Sequence, residues 1–329
     1  MHRVGYFLTS GFQVMAIGTQ TVFEMANIVA REEIYRVTNY SLAGGQIRSS
    51  LGLSVSTEQV TTGTLADTWM ISGVVNPLAR KTPPEELAFV SAASKQSRRM
   101  AGLCTGTFVL GDAGLLGGRR VTTHWAFADA LRTRCVKTQV EADRIFIIDG
   151  PVWTSAGLTA AMDLALAMVE KDLGSELAAS VAHVMVMHQR RSGGQSQHSE
   201  MLKMSPKSDR IQAALDFAQK NLGKALTVGD LANAAHLSPR QFSRVFQSET
   251  GRSPAKAIEH LRLEEARNMI ERGRHSMAVI ARETGFGDRN RLRDAFVRGF
   301  GVSPQSLRRT SRADKDGAGQ DDSATLVGG

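Results

Sequence analysis

A short segment around Cys104 has the residue types and spacing of a reactive site. The segment "GLCTG" at 102–106 has the Gly-x-Cys-x-Gly form of a nucleophile elbow, with a thiol as the reactive group. A cysteine attacks as the thiolate, and a helix that begins directly after it favours the charged form. Three roles for Cys104 are therefore open: a buried residue that lines an effector pocket, a thiol that senses an electrophile or an oxidant, and a catalytic nucleophile.

Alternating apolar runs and helical patterns predict the elements that position Cys104. Strands are expected at 3–9, 35–42, 51–58, 68–74, 100–104, 137–142, 144–150 and 152–157, and helices at 19–33, 84–98, 106–114, from 158 onward and at 175–188. This alternation predicts a flavodoxin-like α/β domain with a mostly parallel sheet. Ligands of such sheets bind outside the carboxyl ends of the strands, where Gly73, Cys104 and Ser155 lie.

Changes in composition divide the chain into two domains, a linker and a tail. With 329 residues, the chain is long enough for two domains of ordinary size. Residues 1–189 form the predicted effector-sensing and dimerisation domain, and residues 210–310 form a predicted all-helical domain. Residues 190–209 are rich in Ser, Gly and Gln, as linkers are, and 311–329 have the composition of a disordered tail.

The positive charge is concentrated in the C-terminal part of the chain. Residues 1–190 contain 17 Lys and Arg against 16 Asp and Glu, a net charge of +1, whereas 191–329 contain 23 against 16, a net charge of +7. Such an excess favours a polyanionic partner, although a solvated charged face has the same composition. The charge alone leaves both interpretations open.

A duplicated unit organises the predicted helical domain. The segment "SPRQFSRVFQSETGRSP" at 238–254 is repeated by "DRNRLRDAFVRGFGVSP" at 288–304, and Phe242 and Leu292, which correspond, are 50 positions apart. In the first copy, two short helices are indicated by capping-box patterns that begin at Thr227 and at Ser238. Two such helices joined by a tight turn make a helix-turn-helix, whose second helix can enter the major groove of DNA.

The exposed faces of both second helices carry side chains suited to reading bases, since Arg pairs with guanine and Gln with adenine. The predicted DNA-binding residues are Pro239, Arg240, Gln241, Ser243 and Arg244 in the first copy, and Asp288, Arg289, Asn290, Arg291 and Arg293 in the second. A helix from 253 to about 272 separates the copies and would hold the readers about 34 Å apart, one turn of DNA. A generic helical interaction domain is the alternative, against which the duplication argues.

These residues carry a family resemblance. The segments "LANAAHLSPRQFSRVFQSETGRSP" and "IARETGFGDRNRLRDAFVRGFGVSPQSL" closely resemble the C-terminal DNA-binding domain of the AraC/XylS family of bacterial transcription regulators, over about residues 210–310. The resemblance implies seven helices with two helix-turn-helix units. It places the base-reading positions at 239–244 and 288–293.

The N-terminal half resembles the PfpI-like domain of the glutamine amidotransferase-like superfamily, so the whole chain resembles the GlxA subgroup of AraC-type regulators. The segments "CTGTFVLGDAGLLGGRRVTTHW", "TSAGLTAAMDLAL" and "RRSGGQSQ" carry this resemblance. It implies a histidine near the thiol, which His124 matches, with a packed histidine as the alternative. Two departures weaken a catalytic interpretation: Ala16 replaces an acidic residue, and Gly73-Val74 replaces a glycine pair.

The sequence thus predicts a transcription regulator and not an enzyme. Its expected partners are double-stranded promoter DNA, a small nitrogenous effector, a second copy of the chain in a homodimer, and RNA polymerase. With two cysteines and no apolar run of about 20 residues, no metal, cofactor or membrane is expected, and the expected location is the cytoplasm. The predicted effector-pocket residues are Gly73, Val74, Cys104, Thr105, His124, Trp125, Ser155 and Ala156. A Cys-dependent hydrolase or hydratase is the competing function.

Overall fold

The structure, a computed structural model, describes residues 1–187, 191, 193, 197, 204 and 206–309. The chain divides into an N-terminal unit that ends at Gly193 and a C-terminal unit that follows it. The predicted linker at 190–209 is described only in part, and the predicted tail at 311–329 lies outside the described residues, so both stay predictions. No helix within the described ranges is long and apolar enough to cross a bilayer.

The N-terminal unit alternates strands and helices. Its strands are β1 (His2–Phe7), β2 (Tyr35–Ser41), β3 (Gly45–Arg48), β4 (Ser54–Gln59), β5 (Thr68–Ile71), β6 (Arg99–Leu103), β7 (Arg120–Val121), β8 (Gln139–Val140), β9 (Phe146–Asp149) and β10 (Val152–Ser155). Its helices are α1 (Met15–Gly18), α2 (Gln20–Ala30), α3 (Pro84–Ser94), α4 (Gly106–Asp112), α5 (Ala128–Arg134), α6 (Leu158–Leu173) and α7 (Ser175–Val184), with a 3-10 turn at Trp125–Phe127.

The main sheet is mostly parallel, with the strand order β3-β4-β2-β1-β5-β6-β10-β9. The central strands pair in parallel, and the edge pairs β3–β4 and β9–β10 are antiparallel. The register places Ile71 opposite Gly102, and Gly102 opposite Thr154. The residues that follow these positions, Gly73, Cys104 and Ser155 among them, therefore lie at the same edge of the sheet, as the sequence predicted.

Both faces of this sheet are covered, which explains why its central strands are apolar throughout. Strands β5, β6 and β10 are buried at every position. Alternate residues belong to different apolar cores: Met70 and Leu103 pack in one core, and Trp69, Ile71 and Met100 pack in the other. Since neighbouring side chains of a strand point to opposite faces, the two cores lie on opposite sides of the sheet.

The C-terminal unit is helical. Its helices are α8 (Asp209–Lys220), α9 (Val228–Ala234), α10 (Pro239–Thr250), α11 (Pro254–Arg272), α12 (Met277–Glu283) and α13 (Arg289–Phe300), and residues 304–309 are also helical. Residues 206–309 thus contain the seven helices that the family resemblance implied.

The long helix α11 takes part in two separate apolar cores. Ile258 and Leu261 pack in a core built around Phe242 and Phe246 of α10, which is the second helix of the first helix-turn-helix. Further along α11, Ala266 and Ile270 pack in a second core with Leu292 and Phe296 of α13. One continuous helix is therefore the spine of both helix-turn-helix units.

Several element boundaries differ from the sequence prediction. The strand predicted at 51–58 is β4 at Ser54–Gln59, and it forms a hairpin with β3, which the sequence did not predict. The strand predicted at 137–142 is only the short β8, which pairs with β7 in a separate two-stranded sheet. The helix predicted at 175–188 ends at Val184.

Candidate effector site and nucleic-acid interface

Cys104 lies in a sharp turn between β6 and α4. Its φ angle is 54°, in the left-handed region that residues other than glycine rarely adopt. A Cβ atom on Gly106 would lie 2.2 Å from the carbonyl oxygen of Ile71, and one on Gly102 would lie 2.9 Å from Cα of Thr107. Close packing therefore requires both glycines of the motif, and the segment has the backbone of a nucleophile elbow.

The Cys104 thiol is buried and protonated at neutral pH. The residue is 2% exposed. Burial raises the pKa of the Cys104 thiol to about 11, and a hydrogen bond with the backbone of Thr105 only partly opposes this effect. Because the reactive species is the thiolate, the short helix α4 does not activate Cys104 in the way that a catalytic cysteine requires.

Backbone and hydroxyl hydrogen bonds hold the elbow in place. The Cys104 amide donates to the carbonyl of Ser155 at 3.0 Å, and the Thr123 hydroxyl donates to the carbonyl of Cys104 at 2.8 Å. On the other side, the Thr105 hydroxyl donates to the carbonyl of Val74 at 2.6 Å. Four residues of the predicted pocket, Val74, Cys104, Thr105 and Ser155, are thus in direct contact.

Gly73 and Val74 pack directly against this elbow. A Cβ atom on Gly73 would lie 2.1 Å from the Thr105 hydroxyl oxygen and 2.5 Å from the Gly106 amide nitrogen. Val74 has no positive φ angle and forms a bridge with Phe12 in the first strand–helix turn. Only the first position of the predicted glycine pair therefore requires glycine here.

His124 and Trp125 lie further along the same edge of the sheet. Nδ1 of His124 accepts a hydrogen bond from the amide of Ala126 at 3.3 Å and caps the 3-10 turn. The His124 and Trp125 rings are 5.5 Å apart, and Trp125 is 52% exposed. A Cβ atom on Gly157 would lie 3.9 Å from the His124 ring, so this ring faces the residues that follow β10.

A small pocket, with room for about one water molecule, lies beside Gly73 and Thr105. It is lined by Ser72, Gly73, Val74, Pro77, Arg80, Thr82, Thr105, Phe108, Val109 and Asp112. Three of the predicted effector residues, Gly73, Val74 and Thr105, belong to this lining, whereas His124 and Trp125 do not. Cys104, Ser155 and Ala156 are buried and do not line it either.

Sequence reasoning missed the two charged residues of this pocket. Arg80 donates to Thr9 and, at 2.6 Å, to the buried carboxylate of Glu86. Asp112 accepts a hydrogen bond from Thr82 at 2.7 Å and forms an ion pair with Arg134 at 2.6 Å. The missed residues come from a loop and from α4, and no local pattern in the sequence connects these two segments.

Helices α9 and α10 form the first helix-turn-helix. Both predicted capping boxes are present, at Thr227 with Asp230 and at Ser238 with Gln241. Of the predicted DNA-binding residues in α10, Ser243 is partly buried and the others are exposed, namely Pro239, Arg240, Gln241 and Arg244. Part of the Gln241 amide is used by the cap, since its oxygen accepts from the Ser238 hydroxyl at 2.8 Å.

Helices α12 and α13 form the second helix-turn-helix in the same way. Asp288 caps α13 by accepting hydrogen bonds from the amides of Asn290 and Arg291 at 2.8 and 3.0 Å. These hydrogen bonds lower the pKa of the Asp288 carboxyl. The predicted residues Asp288, Arg289, Asn290, Arg291 and Arg293 are all exposed. The carboxylate of Asp288 thus caps the N-terminus of α13.

The five arginines among the predicted DNA-binding residues differ in their ion pairs. Arg291 pairs with Asp288 at 3.4 Å, and Arg293 pairs with Asp294 at 3.1 Å. No described carboxylate pairs with Arg240, Arg244 or Arg289. Exposed ion pairs are weak, so all five guanidinium groups are accessible to an anionic partner, and three of them have no counterion among the described residues.

Comparison with known families accounts for both units. Residues 8–171 match the DJ-1/PfpI family, and residues 231–310 match a helix-turn-helix domain family. The chain is 28% identical over 308 residues to the HTH-type transcriptional regulator GbdR of Pseudomonas aeruginosa, which covers 93% of this chain and 83% of GbdR. It is 27% identical over 317 residues to the HTH-type transcriptional regulator GlxA of Rhizobium meliloti, covering 94% and 97% of the two chains.

The chain belongs to the transcription regulators that join a DJ-1/PfpI domain to an AraC-type helix-turn-helix domain. The α/β fold of the regulator agrees with a crystal structure of an AraC family transcriptional regulator from Pseudomonas putida. That structure superposes with a TM-score of 0.52 at 24% identity, over 56% of this chain and all of the other.

An enzyme with a related segment does not change this assignment. The isonitrile hydratase of Pseudomonas putida is 39% identical over 94 residues, which are 29% of the regulator and 40% of the hydratase. In the regulator, Ala16 is a buried residue of α1 at the position where the superfamily resemblance implied an acid. The described residues contain no group of His, Cys, Asp and Glu that would hold a metal ion. The assignment rests on GbdR and GlxA, which match over 93% and 94% of this chain and are transcriptional regulators.

Proposed function

We propose that this regulator binds promoter DNA with α10 and α13 in successive major grooves, and that a small nitrogenous metabolite bound to its α/β unit controls this binding. One observation carries the proposal: two equivalent, exposed helix faces lie on units that share α11, and each face has an arginine without an ion pair to any described residue. Such faces match the docking of a recognition helix, whose N-terminal residues contact base edges.

The proposed base-reading residues are the side chains of the first two turns of each helix. Arg240, Arg244 and Arg289 are the strongest candidates, because a guanidinium makes two hydrogen bonds to guanine and these three have no competing carboxylate. Gln241, Ser243, Asn290, Arg291 and Arg293 complete the proposed surface. Pro239 has no amide hydrogen to donate, and the Asp288 carboxylate would repel phosphates, so we assign both a role in starting their helices.

Selection of sequences from random duplexes by the purified full-length protein tests this assignment. We expect two short motifs, one for each reading helix. Arg240→Ala with Arg244→Ala should relax the first motif, and Arg289→Ala should relax the second, each at a cost of about 1–3 kcal/mol per base pair. Replacement of Arg210, an exposed arginine at the start of α8, by Ala is the matched control for loss of one charge. Unchanged motifs in all variants would refute the assignment.

The proposed effector site is the pocket beside the elbow, which has to open to admit a ligand larger than a water molecule. The Asp112 carboxylate attracts an ammonium group, and the neighbouring Phe108 ring already binds a cation, since the Arg134 guanidinium lies 5.7 Å from its centroid. Arg80 provides a guanidinium at the same site for a carboxylate or another acceptor. Since each charge already has a partner in the protein, an effector has to exchange these ion pairs, which links its binding to local rearrangement.

A thermal-shift screen of amino acids, betaines, polyamines and other amines tests the effector part of the proposal. A ligand raises the melting temperature only if it binds the folded state better, and the shift grows with ligand concentration. We expect Asp112→Asn to abolish the shift, with Asp143→Asn as an acidic control outside the pocket lining. An equal shift in both variants would place the effector elsewhere.

The remaining partners complete the proposal. We propose a homodimer formed through the α/β unit, contact with RNA polymerase at the promoter, and action in the cytoplasm. Effector binding shifts the equilibrium between two states of the dimer, and a coupling of about 1–3 kcal/mol is sufficient for regulation. Analytical ultracentrifugation of the full-length protein tests the dimer.

A further inference from the structure

The two helix-turn-helix units touch each other directly as well as through α11. Gly223, which follows α8, lies against the end of α12: a Cβ atom on it would be 2.7 Å from the carbonyl oxygen of Glu283. Gly285, which follows α12 and has a φ angle of 76°, would place a Cβ atom 2.2 Å from the carbonyl oxygen of Leu222. Only glycine at these two positions allows the units to come so close.

Arg262 of α11 lies at this contact. Its Nε donates to the carbonyl of Leu222 at 3.1 Å, and one terminal nitrogen donates to the carbonyl of Lys224 at 2.7 Å. A Cβ atom on Gly285 would lie 2.7 Å from the guanidinium carbon, so the same group also packs on the turn of the second unit. The planar guanidinium presents its donors in fixed directions, which Lys does not do.

The same part of α11 holds the second reading helix. A Cβ atom on Gly299 would lie 2.8 Å from the Leu263 side chain, and Arg298 of α13 forms an ion pair with Glu259 at 2.8 Å. Residues 259–263 of α11 therefore contact α13, while Arg262 from the same stretch binds the loop of the first unit. The position of one unit relative to the other is determined where these contacts meet.

The direct contact between the units adds a second constraint to the one that the shared helix α11 provides. The two units have separate apolar cores, and each contributes its own side chains against α11. Because the cores are separate, a contact that joins the two units directly opposes any tilt of one unit relative to the other. The contact at Gly223, Arg262 and Gly285 provides this opposition, because it joins the two units at a second place.

We infer that Arg262 is a positioning residue that sets the angle between α10 and α13, and so the number of base pairs that must separate the two motifs in an operator. The inference rests on the proposed function. One additional base pair moves the second motif by about 3.4 Å and turns it by about 35° around the duplex. A rigid pair of readers cannot follow that displacement, whereas a pair without the Arg262 contact can.

The separation between the two selected motifs is the measurement that tests this inference. The full-length wild type should select its motifs at a single separation and lose about tenfold or more in affinity, or ~1.4 kcal/mol, when one base pair is inserted. Arg262→Met should select several separations and lose less than about threefold for the same insertion. Arg262→Lys should lose an intermediate amount of affinity on the same insertion, and Arg210→Met should behave as the wild type.

A second variant tests the same contact without removing a charge. Gly223→Ala pushes the loop of the first unit away from Glu283 and should broaden the selected separations as Arg262→Met does. If circular dichroism shows that Arg262→Met does not fold, the separations selected by Gly223→Ala test the inference instead.

Three outcomes would overturn the inference. A single, unchanged separation in folded variants would show that α11 alone sets the spacing. Loss of affinity for a duplex with only one motif would show that each reader is itself damaged. Failure of the wild type to select any sequence would refute the proposed function, and this inference with it.

Discussion

Cys104 combines the strained backbone of a nucleophile elbow with a thiol that stays protonated at neutral pH. Strain at a left-handed residue costs about 1–3 kcal/mol and persists only where the surroundings hold it. Here Ser155, Thr123 and Thr105 hold it through hydrogen bonds to the elbow and its neighbours. This arrangement fits a structural or pocket-forming role for the elbow better than a nucleophile or a reactive sensor.

Because the pKa of Cys104 is raised, the free energy of unfolding depends on pH in the alkaline range. A thiol with a pKa of 9.0 in the unfolded chain and about 11 in the folded protein holds its proton more tightly when folded. Its contribution is therefore complete below pH 9 and is lost as the pH rises towards 11. We expect the free energy of unfolding, from urea titrations, to fall by about 2–3 kcal/mol over this window, and less in Cys104→Ser. Equal pH slopes in the two proteins would contradict the raised pKa.

Substitution of Gly73 by Ala tests the packing around the elbow. Gly73→Ala adds a Cβ atom 2.1 Å from the Thr105 hydroxyl oxygen, and overpacking of this kind costs about 1–3 kcal/mol. Gly117→Ala is the matched control, because a Cβ atom there has no neighbour within 4 Å. Thermal denaturation should show a lower melting temperature for the first variant only. Equal melting temperatures would show that the Gly73 loop has room for a side chain.

At the scale of elements, the short helices of the DNA-binding unit depend on their caps. Ser238→Ala removes the hydroxyl that accepts from the Gln241 amide and should cost about 1 kcal/mol. Ser248→Ala, the same change at an exposed position late in α10, should be neutral or slightly stabilising, since Ala is the better helix former. Urea denaturation of both variants measures the difference. A cost of equal size in both would mean that the cap contributes nothing specific.

Elements with local signals were predictable from the sequence, and elements that depend on distant residues were not. The capping boxes at Thr227 and Ser238 need only residues three positions apart, and both are present. The hairpin strand β3 was missed because its segment "GQIR" is exposed at the sheet edge and lacks an apolar pattern. The pocket was predicted in part for the same reason: the elbow is local, whereas Arg80 and Asp112 meet only after folding.

At the scale of the whole molecule, the proposed effector site and the proposed DNA-binding surface lie in different units of the chain. The net charge of +7 in residues 191–329 supports the attraction of a polyanion there, and the near-neutral N-terminal part fits the binding of a small molecule. The sequence indicated this division through its composition and the duplicated unit. It did not indicate the contact around Arg262, because that contact joins segments about 40 residues apart and leaves no local pattern.

The most direct test of the account is a hydroxyl-radical footprint of the full-length protein on a duplex selected by that protein. Two protected segments are expected on one side of the duplex, about 10 base pairs apart. Arg289→Ala should weaken protection in one segment only, whereas Arg240→Ala with Arg244→Ala should weaken protection in the other. A single protected segment, or equal loss over the whole footprint in both variants, would contradict two separate readers.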